Sequence, residues 1–323
     1  MTDFVLSSLI LNGPDRGRSC ARDEVDPLLD AETLLWAHLD ADDDRTVAFL
    51  SRHLSHVDPV LHTALTAEDT RPRCAVSDDG ALLLLRGVNL NEGAVPEDMI
   101  SLRLWVDPRR VVSLRKRDLR AVADLQDLVR AGRGPDAPGA FLATLARLLT
   151  ERMEPVLDEL EDAVAAQEQA ILDAPGPDLR REIAETRRRI IILRRYIAPQ
   201  RDAMRALRDM DAPWLMAEDR RMLQETADRV MRHVEDLDML RERAQVIRDE
   251  LANVLSDRLN RNLYALAILS AVFLPLGFIT GLLGVNVGGL PGVNTPWAFA
   301  VLCVSLVGMA VAIIWALRYR KWM

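Results

Sequence analysis

NLYALAILSAVFLPLGFITGLLGVNVGGLPGVNTPWAFAVLCVSLVGMAVAIIWAL, residues Asn262 to Leu317, runs for 56 residues without one Asp, Glu, Lys, Arg or His. It holds two apolar stretches of 21 residues, 263–283 and 297–317, joined by the glycine-rich link GVNVGGLPGVNTP. A helix needs about 20 residues to cross the hydrocarbon core of a bilayer. The tail is therefore a transmembrane hairpin, and the rest of the chain has to be read through it.

The charges flanking the hairpin orient it. Arg258 and Arg261 precede the first span, Arg318, Arg320 and Lys321 follow the second, and the link between them carries no charge. Positively charged flanks stay inside, so both termini are expected in the cytoplasm and the link outside. Met1–Ile10 lacks the basic start and apolar core of a secretion signal, which agrees. Upstream, 61 residues between Pro213 and Pro275 contain neither proline nor glycine. As one helix they would reach about 90 Å at 1.5 Å per residue. Val230, Val234, Leu237, Ala244, Ile247, Leu251 and Val254 supply its apolar stripe. The stripe predicts a stalk that feeds directly into the first span.

Three regions follow. Residues 1–137 mix periods and read as an α/β cytoplasmic domain. Strands are expected at Phe4–Ile10, Ala81–Gly87, Leu102–Val106 and Val111–Leu114. Helices are expected at Leu28–His38, at Thr46–Leu54 and from Asp58-Pro59. Residues 138–261 are helical. Gly139–Gln169 and Asp178–Ile197 carry apolar residues at helical spacing on either side of an Ala174-Pro175-Gly176-Pro177 break, and the stalk follows. The basic clusters Arg187–Arg189 and Arg194–Arg195 read as solvated helix faces or as contacts to lipid or a partner. Residues 262–323 form the hairpin.

Composition excludes several functions. With 49 acidic and 41 basic residues the net charge is −8, the wrong sign for a nucleic-acid partner. Three cysteines form no CxxC pair. No phosphate-binding glycine loop or catalytic cluster marks an enzyme, and no cofactor is expected. His53 and His56 share helical spacing near Asp58, a weak metal set. His233, on the long helix, is a candidate regulatory metal ligand or proton-responsive group. Its plainer reading is an exposed histidine on a helix face.

Two spans cannot enclose an aqueous path, so the tail is either an anchor for a non-conducting sensor or scaffold, or one part of a multi-subunit pore. Asn260, Ala267, Ser270, Leu274, Gly277, Gly281 and Gly284 recur every three to seven residues near one face of the first span. That small, weakly polar face suits a pore lining and equally suits close helix packing. In a pore, Leu274 would be its hydrophobic constriction.

The stretch Pro275-Leu276-Gly277-Phe278-Ile279-Thr280-Gly281-Leu282-Leu283-Gly284-Val285-Asn286 resembles the end of the pore helix in the CorA superfamily of divalent-cation transporters. Gly284-Val285-Asn286, continued by Val287-Gly288-Gly289-Leu290-Pro291, is similar to the ZntB-like zinc-transporter branch. The resemblance extends to the α/β domain, the long stalk helix, the two-span tail and the basic C-terminus. It implies a CorA-like, funnel-shaped homopentamer in the inner membrane with the first span lining the pore. The implied cargo is a divalent metal, zinc first, with magnesium, cobalt or nickel as the alternative. Proton-linked and potential-driven passage both stay open. Gly284, Val285 and Asn286 would form the outer entrance, where the Asn286 carbonyl oxygen meets the water shell of the cation. Asn260 and Leu274 match a polar pore position and a gate. Gly277 departs from the family pattern, which commonly places a hydroxyl there.

Overall fold

The computed structural model describes residues 3–68, 70–173, 175–284 and 296–319. Two compact units result, 1–248 and 249–323.

The first unit is built on a six-stranded mixed sheet: β1 (Val5–Ile10), β2 (Leu35–Asp40), β3 (Arg73–Ser77), β4 (Gly80–Gly87), β5 (Ile100–Val106) and β6 (Arg110–Arg115). Their spatial order is β1-β2-β6-β5-β4-β3. β2 and β6 run parallel, and every other neighbouring pair is antiparallel. The β3–β4 hairpin turns at Gly80, where an added Cβ would meet the Val106 carbonyl oxygen at 2.4 Å. Only glycine lets these backbones approach so closely.

Successive side chains on a strand face opposite sides of the sheet. On one side Leu35, Ala37, Leu39, Val112 and Leu114 pack with α1 (Arg22–Leu29), α2 (Asp44–His53) and α3 (Pro59–Thr66) around Phe4, Phe49 and Leu50. Asp43 and Asp58 cap α2 and α3, accepting from the N–H groups of Arg45 and Val60 at 2.9 and 2.7 Å. The other side carries Trp36, which meets Phe141 edge to face at 4.8 Å between ring centroids. Phe141 belongs to α5 (Pro138–Glu151), which follows α4 (Arg120–Arg130).

The segment Leu28–His38, expected as a helix, divides instead into the end of α1 and the strand β2. β2 lies between two neighbours and is covered on both faces, so its run Leu35-Trp36-Ala37-His38-Leu39 shows no alternation. A strand buried on both faces loses the period-2 signature. The single helix expected over Gly139–Gln169 is likewise two, α5 and α6 (Glu154–Asp173). Pro155 has no N–H to return to Glu151, and the chain turns at Arg152-Met153 before starting again.

α7 (Pro177–Asp209) runs past Ile197 and through Pro199. Its continuation is held by Gln200, fully buried, whose Oε1 accepts the Arg86 N–H of β4 at 2.7 Å. α8 (Ala217–Leu283) is the long stalk helix, 67 residues without interruption, or about 100 Å at 1.5 Å per residue. Within the first unit it buries Leu223, Ala227, Val230, Val234, Leu237, Leu240, Ala244 and Ile247. Their steps of three and four place them on one stripe. α9 (Ala298–Tyr319) is the second span.

Candidate ion pathway

In the second unit α8 loses its charges after Arg261 and continues through Pro275 to Leu283. A proline inside a membrane helix forfeits one backbone bond, to residue i−4, a loss that membrane helices tolerate. At 100° per residue, Asn260, Ala267, Ser270, Leu274, Gly277, Gly281 and Gly284 fall within an arc of about 120°. All seven are exposed in the single chain. The spacing expectation of one face is thus met by a continuous helix over all but the last of them.

That face is uncharged, and it is shallow at its glycines. A Cβ added at Gly277 or Gly281 would meet nothing within 4 Å. Ser270 Oγ donates its proton to the Leu266 carbonyl at 2.9 Å. With its proton committed to the backbone, this hydroxyl oxygen presents lone pairs, the polarity that suits a cation and its water. Leu263, Leu266 and Phe278 fall on the same arc, and Leu274, 75% exposed, is the most exposed of its bulky side chains. Gly284 closes the described part of this arm and donates its N–H to Thr280 at 2.9 Å. Val285 and Asn286, the remainder of the expected entrance, lie outside the described residues, as do Arg320 and Lys321.

His233 does not stand on a solvated face. It is buried on α8, and its Nδ1 has no hydrogen-bond partner among the described residues. Burial is the main cause that pushes its pKa below the ordinary histidine value, Glu154 and Asp236 opposing. The chain folds this way because His233 falls seven residues before buried Leu240, on the flank of the packed stripe. Among the described residues no group of three or more His, Cys, Asp or Glu is placed to hold a metal ion. His53 and His56 diverge in the same way. His53 sits 3.5 Å from Asp26, whereas His56 sits 3.8 Å from Asp107.

The basic clusters on α7 are partly engaged. Arg189 pairs with Glu97 and Glu159, and Arg194 with Asp238. The sequence also hid a basic cavity around His38, because its lining is drawn from β1, β2, β6 and α4. Only the basic run Arg115-Lys116-Arg117 and nearby Arg120 hinted at it.

Comparisons with known proteins agree on one family. The family model described as "CorA-like Mg2+ transporter protein" matches residues 31–320. The divalent cation transporter CmaX of Pseudomonas aeruginosa is 38% identical over 318 residues, 97% of this chain and 95% of the relative. The zinc transport protein ZntB of Pectobacterium atrosepticum is 35% identical over 296 residues, 92% of this chain and 90% of the relative. Among solved structures, full-length CmaX superposes with a TM-score of 0.84 at 37% identity, covering 98% of both chains. The CorA magnesium transporter of Methanocaldococcus jannaschii superposes with a TM-score of 0.80 over 100% of both chains, and at 17% identity the likeness shows the fold alone.

Proposed function

Given that this chain belongs to the CorA superfamily of divalent-cation transporters, we propose that it carries Zn2+ through a homopentameric pore lined by α8. Family membership makes it a multi-pass inner-membrane transporter with its large domain in the cytoplasm, not an enzyme, and removes the reading of a non-conducting anchor.

The observation that carries the proposal is the exposed, uncharged arc from Asn260 to Gly284 on α8. Five copies of that arc, turned inward, would surround a path without one ionisable ligand. Stripped zinc prefers His, Cys and carboxylate ligands, so the ion passes with its water. Asn286 would meet the water shell at the outer entrance through its carbonyl oxygen, beside Gly284 and Val285. Ser270 and Asn260 would offer oxygens deeper in. Five Leu274 side chains would form the narrowest apolar level, a gate that empties of water when it closes.

Weak binding throughout lets the ion leave, and the membrane potential can draw it inward. Each elementary charge gains about 2.3 kcal/mol per 100 mV, enough to move a doubly charged ion without another driving ion. Proton linkage would add to that force, and His233, neutral and buried, is not placed on the arc that would supply it.

Zinc is preferred because relatives sharing a third of their residues over nearly the whole chain are zinc transport proteins. The ligand-free lining and the magnesium transporter named by the family model favour a second reading, a pore for hydrated magnesium, cobalt or nickel. Flux into proteoliposomes separates them. Zinc uptake that survives excess magnesium and falls strongly in Asn286→Ala supports the proposal. Magnesium uptake without zinc uptake rejects it for the second reading. Imposing proton and voltage gradients separately decides the driving force.

A further inference from the structure

β2 and β6 lie in parallel register with His38 beside Ser113. Trp36 Nε1 donates to Ser113 Oγ at 2.7 Å, and the same oxygen lies 2.7 Å from His38 Nδ1. An indole N–H only donates. Ser113 accepts from Trp36, and because its hydroxyl proton has no other acceptor among the described residues that proton is assigned to His38 Nδ1. The imidazole proton is left on Nε2. His38 is 1% exposed, and burial, aided by Arg115, pushes its pKa down to about 3, so the ring is neutral. Its Nε2 has no partner among the described residues. A buried donor without an acceptor is destabilising.

His38 lines a cavity of about 310 Å³ between the sheet and α4. The cavity is basic although the protein is acidic. Arg115, Arg120 and Arg130 line it against the single carboxylate of Asp118. Asp118 pairs with one terminal nitrogen of Arg115, and the buried Nε of Arg115 has no partner. The first turn of α4 supplies Arg120, Val122 and Ala123 to the lining, and its N-cap, Leu119, offers no side-chain acceptor. The Val122 and Ala123 N–H groups bond to the Leu119 carbonyl, so the Arg120 and Ala121 N–H groups and the positive dipole end of that helix are left for another anion. Across the cavity Gln126 donates to Ser7 Oγ at 2.7 Å, which leaves the Ser7 hydroxyl proton for a further acceptor.

We propose that this cavity binds a phosphate group, either inorganic phosphate or the phosphate of a small monoester. The lining brings hydrogen-bond donors from four elements: Ser7 on β1, His38 on β2, Arg115 on β6, and Arg120 with the helix N-terminus on α4. A tetrahedral anion with several acceptor oxygens can answer them together, whereas a monatomic anion cannot. The cavity exceeds a bare phosphate in size and has room for a substituent on one oxygen.

The test uses the full-length protein in detergent, titrated with inorganic phosphate, with adenosine monophosphate and with chloride at matched ionic strength. Calorimetry and unfolding temperature are the readouts. Saturable binding of phosphate or the monoester, with chloride ineffective, is expected; tighter binding of the monoester would identify the esterified source. Arg120→Gln and Ala123→Glu change exposed positions, so both should fold. Each should weaken binding about tenfold or more, since a charge-assisted hydrogen bond contributes enough for that factor. No saturable binding by the native protein overturns the proposal. So does an equal response to chloride, or unchanged affinity in both variants.

Discussion

Arg194 on α7 grips Asp238 on α8 through two nitrogens, Nε at 2.5 Å and Nη2 at 3.0 Å from the two carboxylate oxygens. The pair is about one-third exposed on each side, so solvent screens it. Arg194→Gln should cost less than about 1 kcal/mol at neutral pH. The Arg194 hydrogen bond holds the Asp238 carboxyl below its ordinary value. A depressed carboxylate stabilises the fold above the unfolded pKa of about 3.9 and loses that contribution as pH falls through the folded value. The difference in unfolding temperature between native protein and variant should therefore shrink towards zero in acid. A constant difference from pH 7 to pH 3 would refute the assignment.

His233 predicts a second acid sensitivity with a different window. Its pKa is lowered mainly by burial. The unfolded chain then binds the proton more readily, so stability is full above the unfolded value of about 6.5 and declines below it. Glu154 and Asp236 favour the charged ring, while Arg229 and Arg232 oppose it. His233→Leu keeps an apolar filling at this buried position. Between pH 7 and pH 5 it should lose less stability than the native chain, as measured by thermal unfolding at each pH. Equal losses would show that His233 does not titrate on unfolding in this range.

Gly139 and Asp219 show what close packing demands of the first unit. A Cβ on Gly139 would stand 2.2 Å from Asp219 Oδ2 and 2.9 Å from the Trp214 carbonyl oxygen. Asp219 is not free to withdraw, since that same Oδ2 accepts the Met216 N–H at 3.0 Å and is buried. Gly139→Ala should destabilise the protein by about 1–3 kcal/mol, the usual cost of overpacking. Urea unfolding of the native and variant proteins measures it.

How much of this was legible from sequence differs by element. β4, β5 and β6 announce themselves through apolar, β-branched runs set between turns, and the spans through length and absence of charge. β2 does not, because burial on both faces erases alternation, and its fate depends on β1 and β6 rather than on its own residues. The α5–α6 break was marked by Pro155, a signal that the surrounding apolar period masked. At the candidate pathway, the spacing of Ala267, Ser270, Leu274, Gly277 and Gly281 was enough to place them on one arc, since a helix repeats locally. The burial of His233 and the bond network of His38 were not readable. Both depend on residues far away in sequence, Ser113 for His38, which no local period encodes.

Ala265 and Ala267 offer a test of the arc itself. Both are exposed on α8, yet two residues on a helix are separated by about 200°, so Ala267 lies on the small face and Ala265 on its opposite side. Small residues let membrane helices approach closely or leave room for a path. Ala267→Leu fills that space with a side chain repeated five times in the proposed pentamer. It should reduce cation flux at least about tenfold, because an added apolar ring is a dewetting constriction. Ala265→Leu adds the same volume on the other side and should leave flux within about twofold, leucine being as comfortable as alanine among lipid tails. Both variants should fold, since leucine is a strong helix former. Proteoliposome uptake of the pair, at equal reconstituted protein, decides the matter. A larger loss from Ala265→Leu than from Ala267→Leu would place the path on the opposite face of α8.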